Sequence, residues 1–201
     1  MNRTLAIVAL AAFAAPALAS ITSFSGSTTL LGSPPPACTP GTLQGFNAHA
    51  WNEKQNTLFT NLFVDESQNP GSNSGAIPAI LNGPFDSHFL HFEPLPGAIG
   101  ASGTLTFSGT IVGVMFVNTS LDNSDVMCGS NTTLYPTTYP LRGLNSASTI
   151  SYTGNVLTFN LWAAVPTNDL AQVRIITHPV PTPGAVALLG LGGLAIARRR
   201  R

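Results

Sequence analysis

Two short stretches hold the residue types from which a reactive site is built. Asp86-Ser87-His88 and His91-Phe92-Glu93 place two carboxylates, two imidazoles and a hydroxyl close together in the chain. An imidazole is the natural general base near neutral pH and a common metal ligand, and a carboxylate can orient it. Spacing limits what these groups can do together. In an extended strand successive side chains alternate, so Asp86 and His88 share one face while His91 and Glu93 share the other. A metal site needs three or four ligands converging on one point. These four do not converge without a bulge or help from neighbouring strands. The expectation is a strand with Phe89 and one histidine edge packed inward, holding no metal or cofactor.

Other candidates are thinner. Asp122-Asn123-Ser124-Asp125 offers oxygen ligands of the kind calcium favours, within a polar segment over 121–134. The twelve-residue calcium-loop pattern lacks its glycine and its closing acid, so a solvated turn is expected there. His49, Trp51 and Glu53 alternate and would form a platform if their face were exposed. Trp51 and Trp162 are the aromatic faces on which a sugar ring could stack; otherwise they are core residues. The nearest approach to a serine elbow, Gly71-Ser72-Asn73-Ser74-Gly75, has Asn73 at its centre. There is no C-x-x-C, no phosphate-cradling glycine loop and no H-E-x-x-H. The expectation is a protein that is not an enzyme. Two alternatives stay open: a carbohydrate-binding module using Trp51 or Trp162, and a secreted hydrolase whose acids or histidines converge in a pocket.

The elements that must position these residues read as short strands. Alternation and β-branched or aromatic content mark 23–31, 57–64, 87–92, 103–107, 111–117, 149–152, 156–162 and 171–177. Leu157, Phe159 and Leu161 fall on one face, with Thr158, Asn160 and Trp162 on the other. Thr153-Gly154-Asn155 is a tight hairpin signal, and Ser108-Gly109 suggests a similar link. No stretch keeps a 3.6-residue apolar period. Segments 32–41, 67–75 and 121–134 read as loops. The fold class expected is all-β, an antiparallel sandwich of jelly-roll type. Cys38 and Cys128 form an even pair in a chain with an export leader, so a disulfide is expected. It would close about 90 residues and contribute ~4 kcal/mol in the chain-entropy model.

Charged residues make up only 8% of the 201-residue chain, while hydrophobic residues make up 44% and glycine and proline number 19 and 16. This is the composition of a turn-rich secreted β-protein. The formal charge of zero hides an asymmetry, because Arg3 and Arg198, Arg199, Arg200 and Arg201 sit at the ends. Between them Lys54, Arg142 and Arg174 face eight acids, a net −5. Such a body has no basic face for a phosphate backbone, which argues against nucleic acid as a partner.

Both ends read as sorting devices. Residues 1–19 carry Arg3, an apolar run, Pro16 and the small-residue site Ala17-Leu18-Ala19, the order of a secretory signal peptide. Cleavage between Ala19 and Ser20 by signal peptidase, after passage through the secretion machinery, is expected. The body is then 20–177, followed by a linker and motif over 178–184. An apolar stretch over 185–197 precedes the four arginines. Its thirteen residues give a helix of roughly 20 Å at ~1.5 Å per residue, short of the ~30 Å of a bilayer core. It suits transient insertion, with the arginines held on the cytoplasmic side. This tail resembles the PEP-CTERM sorting signal. Pro181 and Pro183 match the family's two prolines, Thr182 stands at its usual glutamate, and Gly184, the Leu/Gly-rich apolar stretch and Arg198 to Arg201 fit. The resemblance covers about the last 22 residues. It implies an exosortase-type membrane protease as partner, removal of the tail, a place on the cell surface or in the extracellular matrix, and association with exopolysaccharide. It implies nothing about the body's chemistry.

Overall fold

The fold was analysed on a computed structural model, which describes residues 20–68, 76–163 and 170–180. The expected signal peptide, the motif Pro181-Thr182-Pro183-Gly184, the apolar tail with Arg198 to Arg201, and the segment around Asn73 lie outside the described residues.

Strands alternate between two sheets. β1 (Ile21–Gly26), β7 (Gly100–Phe107), β10 (Val156–Trp162) and β9 (Thr149–Thr153) form a four-stranded antiparallel sheet in the order β1-β7-β10-β9. The second sheet runs β2 (Thr28–Leu30), β4 (Ala48–Asn52), β6 (Ala79–Pro94), β11 (Ala171–Thr177), β8 (Ile111–Met115). Two further strands, β3 (Gln44–Gly45) and β5 (Thr57–Val64), also pair with β6. The expected all-β sandwich is therefore present. Its pairings are antiparallel apart from two short parallel ones, β2 with β4 and β3 with β6.

Strands 57–64, 156–162 and 171–177 fall where the alternation puts them. β9 and β10 are joined by Gly154-Asn155, with Gly154 at φ +60°, the backbone a two-residue hairpin turn asks of glycine. Other expectations are corrected. The strand expected over 23–31 breaks at Gly26, whose φ is +70° and where a Cβ would lie 2.2 Å from the Ser102 carbonyl oxygen. The chain steps there from one sheet to the other, so β1 and β2 pair with different partners. Ser108-Gly109 likewise links strands of different sheets rather than a hairpin. The strand expected over 87–92 spans sixteen residues as β6. The body continues past Thr177, since the His178 amide donates to the Thr110 carbonyl and its ring packs on Phe85.

The largest correction is a helix, α1 (Asn118–Cys128), where a polar loop was expected. Its buried positions, Ser120, Leu121, Ser124, Asp125 and Cys128, keep helical spacing, but three of the five are polar. An apolar period was absent because the inward face is not apolar. Nor does the helix carry an acid in its first turn or a base in its last. Residues flanking β5 hold the chain at both ends of the helix. Asp65 Oδ2 accepts the amides of Phe116 and Val117 at 2.7 and 2.9 Å, and Oδ1 accepts the Ser120 hydroxyl at 2.5 Å. Lys54 Nζ donates to the carbonyls of Val126 and Met127 at 3.0 and 2.9 Å. An anion at the start and a cation at the end complement the helix dipole.

The central sheet is thus covered on both sides, and every residue of β11 is buried. Val173 and Ile175 face the sandwich core, with Leu90, Phe92, Leu105, Phe107, Leu157 and Phe159. Ile176 faces a second core, with Trp51, Phe89, Met115, Leu121, Cys38 and Cys128. Beyond β5 the chain turns back, and Asp65 and Glu66 hydrogen-bond to Val114 of β8, so the β5–β6 ribbon curls around the second core.

Candidate functional site

The sequence candidates separate as their strand faces require. His88 points into the sandwich, where its ring packs 4.7 Å from that of Phe107. Its Nδ1 meets Asn52 Oδ1 at 2.8 Å and its Nε2 meets Thr177 Oγ1 at 3.0 Å. With the amide oxygen as acceptor, Nδ1 carries the proton and Nε2 accepts from the hydroxyl. His91 points to the other side, and its Nδ1 accepts from Gln172 Nε2 at 2.9 Å. Burial lowers the pKa of both rings to about 3, with the charges of His49 and Arg142 adding to the effect at His91. Both are neutral at physiological pH. Glu93 Oε1 accepts from the Gly41 amide at 2.6 Å and Gln44 Nε2 at 3.3 Å. Asp86 Oδ1 accepts the Asn56 amide. Among the described residues no three His, Cys, Asp or Glu side chains group as metal ligands.

The platform expected at His49, Trp51 and Glu53 does share one face, but that face lies beneath α1. Trp51 is fully buried and its ring sits 5.0 Å from that of Phe89, so it offers nothing to a ligand in solution. Glu53 belongs to a group the sequence reading missed. Its carboxylate takes a bidentate contact from Arg174, at 2.8 Å from Nε and 2.9 Å from Nη2, and also accepts the hydroxyls of Ser87 and Tyr135. Arg174 continues to Ser124 Oγ at 2.5 Å and Asp125 Oδ1 at 3.1 Å. Arg142 holds Asp125 and Asp122, each at 2.7 Å, and donates from Nε to Gln172 Oε1 at 2.9 Å. Asp122 and Asp125 are therefore helix residues engaged by guanidinium groups, not a solvated turn or a calcium loop. Burial alone would lower the Arg174 pKa, but the facing Glu53 outweighs it and the pKa is raised. Burial and Glu53 together raise that of Tyr135. The signal that could have found this group was present: only three basic residues fall between the ends of the chain, and two of them lie here.

Cys38 and Cys128, expected as a disulfide, are free thiols in this structure, both buried in the second core. Burial pushes each pKa up to about 12. Cys38 Sγ lies 3.7 Å from the Leu134 carbonyl oxygen, and Cys128 precedes Gly129, where a Cβ would meet the Tyr135 ring at 2.7 Å. Both sulfur-bearing segments therefore flank the pair Leu134-Tyr135.

Open surfaces have a different character. A groove of about 340 Å³ between β5 and α1 is lined by Asn61, Leu62, Phe63, Thr119, Ser120, Asn123, Ser124 and Met127 and contains no acid or base. The outer face of the four-stranded sheet is wider. Register aligns Ser102, Asn160 and Thr149 in one row and Thr104, Thr158 and Ser151 in the next. Trp162 stands beyond the first row, opposite Gly100, and is 39% exposed. Among the described residues no charged one lies on this face. No Asp, Glu, Lys or Arg among them is fully exposed, and Glu53, Lys54 and Asp122 are the partly exposed ones. The described residues thus keep most of their charge inside, and the exterior they form is mostly hydroxyls, amides and apolar groups.

No family model, curated protein or solved structure matches the chain. Among the described residues no helix is long and apolar enough to cross a membrane.

Proposed function

We propose that the chain is an exported cell-surface or extracellular-matrix protein of non-catalytic role, sorted by a PEP-CTERM-like signal at its C-terminus. The observation that carries this reading is the ordered tail: Pro181-Thr182-Pro183-Gly184, a short apolar stretch, then Arg198 to Arg201, in a chain that begins with a leader ending at Ala19. The non-catalytic part draws support from the interior. Most of the described acids, bases and imidazoles are buried and held in place, Glu53, Asp125, Arg142 and Arg174 by one another and His88 by Asn52 and Thr177. A jelly-roll-like description of the sandwich belongs to the same reading, because the chain changes sheet from β1 to β2, β7 to β8 and β10 to β11. So does the pairing of Cys38 with Cys128 in the oxidised, exported protein, which non-reducing mass analysis reads as the loss of two hydrogens.

The sorting step is tested by the intact mass of the surface-located protein, from parental cells and from cells lacking the exosortase. The expected product begins at Ser20 and has lost the apolar stretch and the arginines in parental cells only. A tail retained in both strains would make the segment a plain anchor. Pro181→Ala with Pro183→Ala should leave insertion intact and slow the cleavage.

A further inference from the structure

The outer face of the four-stranded sheet has three properties that together specify a ligand. Its described residues carry no charge, so they offer no electrostatic gain to a phosphate backbone, an anionic lipid or an ionised peptide. It presents hydroxyls and an amide in register, with neighbours across strands ~4.8 Å apart and rows ~7 Å apart. The side chains of Ser102, Thr158, Asn160 and Thr149 make no hydrogen bond within the described residues, so their donors and acceptors are available. At the end of the array stands an aromatic ring whose backbone is held firmly. The Trp162 amide donates to Ser148 Oγ at 2.9 Å, and its carbonyl accepts from Asn145 Nδ2 at 2.9 Å and Ser148 Oγ at 3.3 Å. Opposite it, Gly100 has no side chain to cover the ring; a Cβ there would lie 3.8 Å from it.

We propose that this face binds a neutral polysaccharide, with Trp162 stacking on a sugar ring and Asn160, Thr158 and Ser102 hydrogen-bonding its hydroxyls. A sugar ring has an apolar C–H face and a rim of hydroxyls, and it carries no charge. The array supplies the complement of each: an aromatic surface, a set of unpaired donors and acceptors, and no ion whose desolvation would oppose contact. A strand-long row of such groups suits an extended chain better than a single sugar. The proposal rests on the surface or matrix reading above and adds the chemistry that would hold the protein to its surroundings.

The test uses the exported protein purified from cells, run through native gels containing hydroxyethyl cellulose, galactomannan or dextran, with alginate as the charged comparison. At least one neutral polymer should retard the protein, and the retardation should persist from about 0.05 to 0.5 M salt, where screening removes surface electrostatics. Trp162→Ala should weaken retention by about tenfold or more, the scale of a lost aromatic stack. Thr158→Lys should do the same from a neighbouring strand position while leaving the ring in place. Thermal midpoints equal to that of the parent establish that both variants fold. No retardation by any neutral polymer, retention by alginate alone, or full retention of Trp162→Ala would each overturn the proposal. Sedimentation adds a further arm: if Trp162→Ala changes the oligomeric state and polymer binding is absent, the face is an interface between copies of this chain. Failure of the sorting reading shows separately, as an uncleaved tail in protein that still binds polymer.

Discussion

Arg174 is the residue on which most of the second core depends. It is fully buried, touches Glu53, Asp125 and Ser124, and lies 4.8 Å from the centre of the Phe89 ring and 5.2 Å from that of Tyr135. Removing one member of such a group leaves another charge buried without a counter-ion, which typically costs ~3–5 kcal/mol. Arg174→Met should therefore lower the urea midpoint strongly, with a slope close to that of the parent. A Glu53→Met, Arg174→Met double variant should recover part of the loss, because neither partner is then stranded. A midpoint unchanged in the single variant would mean that the cluster contributes nothing to stability. The scarcity of bases in the body marked Arg174 in the sequence, but its partners were not legible there. Glu53 and Arg174 lie 121 positions apart, and nothing local in either segment marks the other. The alternation of His49, Trp51 and Glu53 did place the three on one face. What it could not show was that α1 covers that face, which turns Trp51 from a ligand platform into core.

Helix α1 illustrates why an element can be invisible to hydropathy and still form. Leu121 and Cys128 are its only apolar buried residues, and the remaining buried positions earn their place through ionic and hydroxyl contacts. Helix ends leave amides and carbonyls unpaired; here Lys54 meets two last-turn carbonyls, while Asp65 holds the Phe116 and Val117 amides that lead into the helix and the Ser120 hydroxyl in its first turn. These two residues bracket β5, so the strand and the helix are fastened together at both ends. Asp65→Ala should cost about 1–3 kcal/mol, because it leaves the Phe116 and Val117 amides without their acceptor, and Lys54→Met less, because its ammonium is partly solvated. Amide hydrogen exchange is the discriminating measurement. Protection should fall across α1 in Asp65→Ala while β7 and β10 of the opposite sheet keep theirs, and a uniform loss over both regions would show that α1 does not open on its own. The strands, by contrast, were legible where one face meets solvent. β10 alternates because Leu157, Phe159 and Leu161 face the core while Thr158, Asn160 and Trp162 face out. β6 lost that signal beyond Phe85, where both of its faces are buried.

At the scale of the whole molecule, most ionisable groups of the described residues are buried, so pH acts on stability largely through buried groups. Burial lowers the pKa of half-buried His49, and it acts most strongly on fully buried His88 and His91. Burial lowers both from an ordinary 6.5 to about 3, with His49 and Arg142 also depressing His91. Around His88 the neighbours are Asn52, Thr177 and the Phe107 ring, and around His91 they are Gln172, Trp51 and His49. Below pH 6.5 the unfolded chain takes up protons on these histidines that the native protein does not accept until the pH approaches 3. Stability is therefore fully present above pH 6.5 and falls as the pH drops through that window. Each histidine contributes a slope of up to ~1.4 kcal/mol per pH unit. Between pH 6.5 and about 5 the solution is still above the ordinary carboxylate range, so the histidine contribution stands apart from acid titration. Urea unfolding at steps across that interval should show stability declining in the parent. Replacing His88 with Gln, which keeps a polar group beside Asn52 and Thr177, should reduce the slope by one histidine's share even if it lowers stability at pH 7. A parent whose stability is flat from pH 6.5 to 5 would mean that the native imidazoles accept protons as readily as the unfolded ones, and that water reaches both cores.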